Sequence, residues 1–266
     1  MTPEAALAFL RAKDAAVLHP LRHSPLADSW LVEVAGERAV LRIDQPAAAV
    51  MGLDRAAEFA RLKAVAAAGL GPAPIAVDPG RGLLLRRHIE GSVWQPADLQ
   101  QPAKLAQAAK LLCHAHSVDI ESPSPGLALD LAAAVERYAG LAGQGGTMLA
   151  ETTRHLLATC QDPGVRRVFC HNDPVADNFV AAPGPAGRLW LIDWEYSGFN
   201  EFWFDLAVVV VHHELPPALA RDFLGTYLGR PPNAAELHRF AAWCSFYANF
   251  AELWLMTLAT YSANHP

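Results

Sequence analysis

The rhythm of apolar and polar positions changes near residue 90. Before it, short runs of period two alternate with segments of helical spacing. Residues 1–13 have an apolar face at helical spacing, with Thr2 placed as N-cap and Pro3 in the first turn. Residues 30–34 and 38–43 are alternating or continuous apolar runs across Ala35-Gly36-Glu37, which predicts a hairpin. An Ala-rich segment then runs from Gln45-Pro46 to near Gly69, with Leu53, Ala57, Ala60 and Ala64 on one helical face. It predicts a single long helix. Residues 74–77 and 83–87 read as a second hairpin across Asp78-Pro79-Gly80-Arg81-Gly82.

Beyond Glu90-Gly91 the helical period takes over. Helices are predicted over 102–117, 127–142, 146–160, 202–214, 217–229 and 234–261. One island of short strands, around 166–170, 179–182 and 188–193, interrupts them. The pattern predicts an α+β chain with a small sheet-rich N-lobe over 1–90 and a large mainly helical C-lobe over 91–266.

Composition narrows the function. A formal charge of −6 argues against a nucleic-acid binder, which would carry a basic face. Cysteines at 113, 160, 170 and 244 form no C-x-x-C pair and read as buried free thiols of a reducing compartment. The N-terminus lacks the basic start and apolar run of a secretory signal, and no uncharged apolar stretch reaches the ~18 residues of a membrane span. A cytoplasmic enzyme is the expectation. His114-x-His116 and His212-His213 have no further ligands at suitable spacing and read as helix or surface histidines.

The strand island carries the chemistry. Cys170-His171-Asn172-Asp173-Pro174-Val175-Ala176-Asp177-Asn178 is followed by Leu191-Ile192-Asp193-Trp194-Glu195-Tyr196. Phosphoryl transfer to an alcohol needs a carboxylate to accept the hydroxyl proton and oxygen ligands for magnesium on the phosphates. Asp173 is the candidate base, and Asn178 and Asp193 are the candidate Mg2+ ligands. His171 is expected to anchor the loop through its side-chain hydrogen bonds.

These two segments, running on to Phe204-Asp205-Leu206-Ala207, resemble the aminoglycoside phosphotransferase and choline kinase group, and within it the choline/ethanolamine kinases. The resemblance covers about 165–215 closely and the N-lobe less so; 92–164 and 215–266 carry little of it. It implies a two-lobed protein-kinase-like fold that uses ATP and Mg2+. In such kinases a basic residue on the third strand pairs with a glutamate on the next helix to hold the phosphates. Arg42 takes that place, with Glu58 as partner and Asp54 sharing its helix one turn earlier. The segment holding Arg87, His88 and Ile89 fits the interlobe hinge, whose backbone meets the nucleobase. Asp205 matches the aspartate that props up the catalytic loop. One departure is plain: the phosphate-covering loop corresponds to residues 23–30, which hold no glycine, only Ser24, Asp28 and Ser29 as small polar groups.

The acceptor is written less clearly. A quaternary ammonium is recognised by aromatic faces with an acid nearby. Trp243, Phe246, Tyr247, Phe250 and Trp254 lie at spacings of three and four around Glu252, a pattern that serves core packing as well as a pocket. Trp254 loosely matches one tryptophan of the choline kinase pocket; the other position holds Ala251. Glu195, Tyr196, Tyr247 and Trp254 are the candidate substrate residues, with Glu214 a further acid. The expectation is a small-molecule amino alcohol kinase, choline before ethanolamine, with thiamine, sugar or aminoglycoside acceptors as alternatives. The glycine-poor loop motivates a second reading, a nucleotide-binding pseudokinase.

Overall fold

Residues 1–120, 130–184 and 187–265 are described in a computed structural model, and they separate into two units, Met1–Glu90 and Gly91–Pro266. In the first, Thr2 accepts from the Ala5 amide and opens helix α1 (Pro3–Phe9). The helix stops short of residue 13 because the chain turns through positive φ at Arg11 and Asp14 into a strand. Strands β1 (Ala15–His23), β2 (Ala27–Val34), β3 (Glu37–Asp44), β4 (Pro74–Asp78) and β5 (Leu83–Arg87) form an antiparallel sheet of order β1-β2-β3-β5-β4. Val34 pairs with Glu37, so Ala35 and Gly36 alone make the turn. Both have positive φ, as a hairpin turn matched to strand twist requires.

Central β3 is buried on both faces. Ala39, Leu41 and Ile43 join Ala6, Leu7 and Leu10 of α1 in one core. The period of two sends Arg42 the other way, toward the following helix. That helix corrects the reading of one long helix up to Gly69. It is two: α2 (Pro46–Val50) and α3 (Arg55–Ala67), separated by Gly52 at positive φ and by Asp54, which N-caps α3 through the Ala57 amide. Alanine periodicity continues through the break, so only Gly52 and the capping acid mark it.

The second unit is built on helices. Here β6 (Ser92–Val93) leads to α4 (Pro96–Leu99), α5 (Pro102–Ser117), α6 (Leu131–Leu141) and α7 (Gly143–Cys160). The start of the helix expected over 127–142 lies outside the described residues. Strand β7 (Val168–Cys170) pairs with β10 (Gly198–Asn200), and β8 (Phe179–Ala181) lies between β6 and β9 (Leu189–Leu191). Helices α8 (Trp203–His212), α9 (Pro217–Leu228) and α10 (Ala234–Asn264) complete it, with α10 packed on α6, α7 and α8. Helix α8 is buried from Trp203 to Val210, which is why it is apolar all round and why Asp205 lies in the core. No described helix is long and apolar enough to cross a membrane.

Candidate active site

The loop after β7 is fixed by a near-complete pairing of its backbone donors. The His171 and Asn172 amides donate to the two oxygens of Asp205, at 2.9 and 2.6 Å. The Asp173 amide donates to His171 Nδ1 at 3.2 Å, and Pro174 has no N–H. The Val175 amide bonds the Asp173 carbonyl, the Ala176 amide donates to His213 Nε2 at 3.0 Å, and the Asn178 amide bonds the Val175 carbonyl. Buried amides need such partners, so side chains from elsewhere dictate the loop's shape. Asn172 sits at φ +64°, a left-handed conformation that asparagine tolerates. Its amide donates to the Tyr196 carbonyl and accepts from Asn200.

Two bonds set the second segment against the loop. Ile192 donates its N–H to the Asn178 carbonyl at 2.9 Å and accepts from His171 Nε2 at 2.8 Å. His171 is therefore the neutral Nε2–H tautomer, and burial holds its pKa below the ordinary histidine value. Asp193 follows at once, half-buried and at φ +64°. Trp194, fully buried, lies edge-on to His171 with ring centroids 4.6 Å apart. The Asn178 amide nitrogen turns back to Asp173, 2.8 Å from its carbonyl and 3.2 Å from Oδ2. The acceptor end of Asn178 is then its Oδ1. With the Asp193 carboxylate it makes a neutral-plus-charged set of hard oxygen donors, which fits magnesium chemistry.

Beside the loop lies an aromatic and acidic cluster. Trp254 Nε1 donates to the Tyr196 hydroxyl at 3.3 Å. Burial first, then the charges of Glu195 and Asp173, hold the Tyr196 phenol well above its ordinary pKa, so it stays neutral. Burial pushes Tyr138 up to about 12, with Glu195 adding to it. Burial raises Tyr247 too, with the Asp173 charge acting in the same direction, and its hydroxyl lies 3.5 Å from His212 Nδ1. The Asp173 charge thus acts on Tyr196 and Tyr247, the Glu195 charge acts on Tyr196 and Tyr138, and Trp254 joins them through Tyr196. Of the C-terminal aromatics, Trp243 and Phe246 are fully buried and serve the core. Glu214 is exposed just beyond the end of α8.

The first unit holds a buried charge network. Arg42 forks onto Glu58, with Nη1 2.8 Å from Oε1 and Nη2 2.7 Å from Oε2. Arg55 joins Glu58 at 2.9 Å and Asp44 at 2.6 and 2.9 Å. Burial alone would raise the Glu58 pKa, but the two guanidiniums outweigh it and lower the value. Asp54 does not compete for Arg42, since its carboxylate caps α3. Gly82 (φ +64°) allows the Asp44 contact: a Cβ there would sit 2.6 Å from that of Asp44.

The hinge-like segment is partly committed. Arg87 donates its N–H to Ala73 and accepts from Arg86 Nη1 at its carbonyl, and His88 donates its N–H to Arg38. The loop read over 23–30 is a correction. Residues 27–30 belong to β2, and only Ser24, Pro25 and Leu26 connect the strands. Ser24 closes that turn on Ala27, and the Asp28 carboxylate bonds His23 and Gln45.

Sequence reasoning missed His116, His213 and Arg55. His116 and His213 are buried rather than surface residues. His116 joins Asp205 Oδ2 at 2.9 Å and the Tyr227 hydroxyl at 2.8 Å. His116, Cys170 and Asp205 lie close enough to suggest a metal, but each already has hydrogen-bond partners, Cys170 at the Asn200 carbonyl. Their partners lie tens of residues away, so spacing gave no signal; Arg55, one turn before Glu58, was visible as an i,i+3 pair. The thiols also differ from a uniformly buried set, since Cys113 is exposed.

The family model of the phosphotransferase enzyme family matches residues 18–249, and the chain belongs to that family. Its fold is similar to that of a choline/ethanolamine kinase family protein from Mesorhizobium loti, with a TM-score of 0.74 at 24% identity, covering 97% of this chain and 87% of that one. It is similar as well to choline kinase LicA from Streptococcus pneumoniae, with a TM-score of 0.75 at 20% identity over 96% and 88%. At these identities the likeness is one of fold. Protein LicA of Haemophilus influenzae is 41% identical over 58 residues, 22% of this chain, and the match spans only 21% of that relative's length.

Proposed function

We propose that this chain is an ATP-dependent kinase that phosphorylates the hydroxyl of a small amino alcohol, choline first and ethanolamine next. The observation that carries the reading is the hold on Asp173. Its amide is bound by His171, and its carbonyl and one carboxylate oxygen accept from Asn178. A carboxylate oriented in this way suits a base for an alcohol, whose reaction asks mainly for positioning.

In the forward step Asp173 accepts the acceptor's hydroxyl proton as the oxygen bonds to the γ-phosphorus. The bond from phosphorus to the bridging oxygen breaks, and ADP leaves. Asn178 and Asp193 would hold Mg2+, which when bound neutralises charge on the phosphates. Arg42, kept in register by Glu58, offers fixed positive charge to phosphate oxygens. Backbone groups of Arg87, His88 and Ile89 are assigned to the nucleobase. Glu195 with the aromatic faces of Tyr196, Trp254 and Tyr247 suits a cationic head group. Asp173 and Glu195 supply the negative charge of that surrounding, and the phenols beside them stay neutral. His171 and Asp205 do no proton chemistry here; they shape the loop.

A coupled ADP-release screen with Mg-ATP over choline, ethanolamine, thiamine, a sugar and an aminoglycoside tests this. Turnover greatest with choline or ethanolamine is the expected result. Preference for another acceptor would sink the substrate assignment, and tight Mg-ATP binding with no turnover on any alcohol would favour the pseudokinase.

A further inference from the structure

His213 takes no part in the chemistry above, yet it reaches the middle of the loop between Asp173 and Asn178. Its Nε2 accepts from the Ala176 amide at 3.0 Å, and its Nδ1 lies 2.8 Å from the Val209 carbonyl. An amide only donates and a carbonyl only accepts, so the ring is the neutral Nδ1–H tautomer. The ring is 5% exposed, and the residue's own carbonyl accepts from Gln100 Nε2 at 2.6 Å. His213 is therefore held before it holds anything.

His213 caps the same helix that carries Asp205. Two turns of α8 separate them, about 12 Å along the axis. Asp205 takes the amides of His171 and Asn172, and His213 takes that of Ala176. One rigid helix thus grips the loop on both sides of Asp173. The Val175 to Asp173 and Asn178 to Val175 bonds are internal to the loop, and at its far end the Asn178 carbonyl accepts from the Ile192 amide.

We propose that His213 is a positioning residue for phosphoryl transfer, holding Ala176 to α8 so that Asp173 and Asn178 keep their mutual geometry. The functional half of this rests on the kinase reading; the tether itself does not.

Two variants test it, His213→Leu, which removes the acceptor, and His213→Gln, whose Oε1 can still accept from Ala176. In ADP release with Mg-ATP and choline, H213L should lower kcat by about 10- to 100-fold. KM for both substrates should stay within about twofold, since an orienting group acts in the transition state. H213Q should recover most of kcat. Hydrogen exchange on the intact protein should show faster exchange over 171–178 in H213L, protection kept in H213Q, and α10 unchanged in both.

Full kcat in H213L despite faster loop exchange overturns the proposal. So does an H213Q variant no better than H213L, or loop exchange that neither variant alters. If H213L fails to fold, H213Q decides alone: near-normal kcat with a protected loop supports the tether, and a lost kcat with a folded α10 overturns it. A wild-type enzyme inactive on every acceptor defeats the kinase reading instead, and the exchange result still decides the tether.

Discussion

His171 Nε2 donates to the Ile192 carbonyl at 2.8 Å, and this bond sets Asp193 against the loop that carries Asp173. The same ring accepts from the Asp173 amide, so one side chain ties the proposed base to the proposed metal ligand. His171→Ala strips a partner from both groups, at about 1–3 kcal/mol for each one left buried and unpaired. Its melting temperature should fall, and kcat should drop by about 10- to 100-fold. Unaltered kcat in a folded variant would count against this role.

The Arg42–Glu58 pair makes a second prediction. Glu58→Ala leaves Arg42 and Arg55 to share the Asp44 carboxylate in a site where Glu58 is 2% exposed. Removing one partner of a buried pair costs about 3–5 kcal/mol. Urea unfolding should show a loss of that order, and a loss below about 1 kcal/mol would mean that water screens the site. Arg42→Lys, which keeps charge but loses the fork, should raise KM for Mg-ATP more than it lowers stability.

Acid should weaken the fold. Burial lowers the pKa of His171 and of His213 from the ordinary 6.5. Below pH 6.5 the unfolded chain takes protons that the folded chain refuses, so their contribution is intact above 6.5 and is lost as pH falls toward the folded values. Each group adds a slope of at most about 1.4 kcal/mol per pH unit. Glu58, with its lowered pKa, adds to the loss only below its ordinary 4.5. Thermal melts from pH 7 to 5 should therefore shift downward, less steeply in H213Q. A flat profile would show that these rings take up protons as readily in the folded chain as in the unfolded one.

The acceptor assignment predicts a KM effect. Trp254→Leu removes an aromatic face, worth about 0.5–2 kcal/mol to a cation, or about 3- to 30-fold in the KM for choline. Tyr196→Phe keeps the face and loses only the bond from Trp254, so its KM should move less. Initial-rate kinetics at saturating Mg-ATP measures both. If Tyr196→Phe damages KM more than Trp254→Leu, the hydroxyl and not the ring surface governs recognition.

Local signals made the elements legible. Period two and 3.6 mark most strands and most helices, though β1, β6 and β10 were not read, and Thr2, Pro46 and Pro102 mark helix starts. The break at Gly52 escaped because alanines keep their helical spacing across it. The turn at 24–26 was read as a longer loop because Asp28 and Ser29 look loop-like, although they belong to a strand in the sheet. Within the proposed site, Asp173, Asn178 and Asp193 stand out because their spacing suits the proposed chemistry. His116 and His213 do not, since their roles arise only when α5 meets α8 and when α8 meets a loop distant in sequence.

The most direct test of the kinase reading is Asp173→Asn under saturating Mg-ATP and the preferred acceptor, followed by ADP release and by nucleotide binding. The substitution keeps the shape and removes the proton acceptor. The predicted result is a kcat reduced by about 10²- to 10⁴-fold with nucleotide affinity retained. Phosphorylation of the acceptor at near wild-type rate would contradict it.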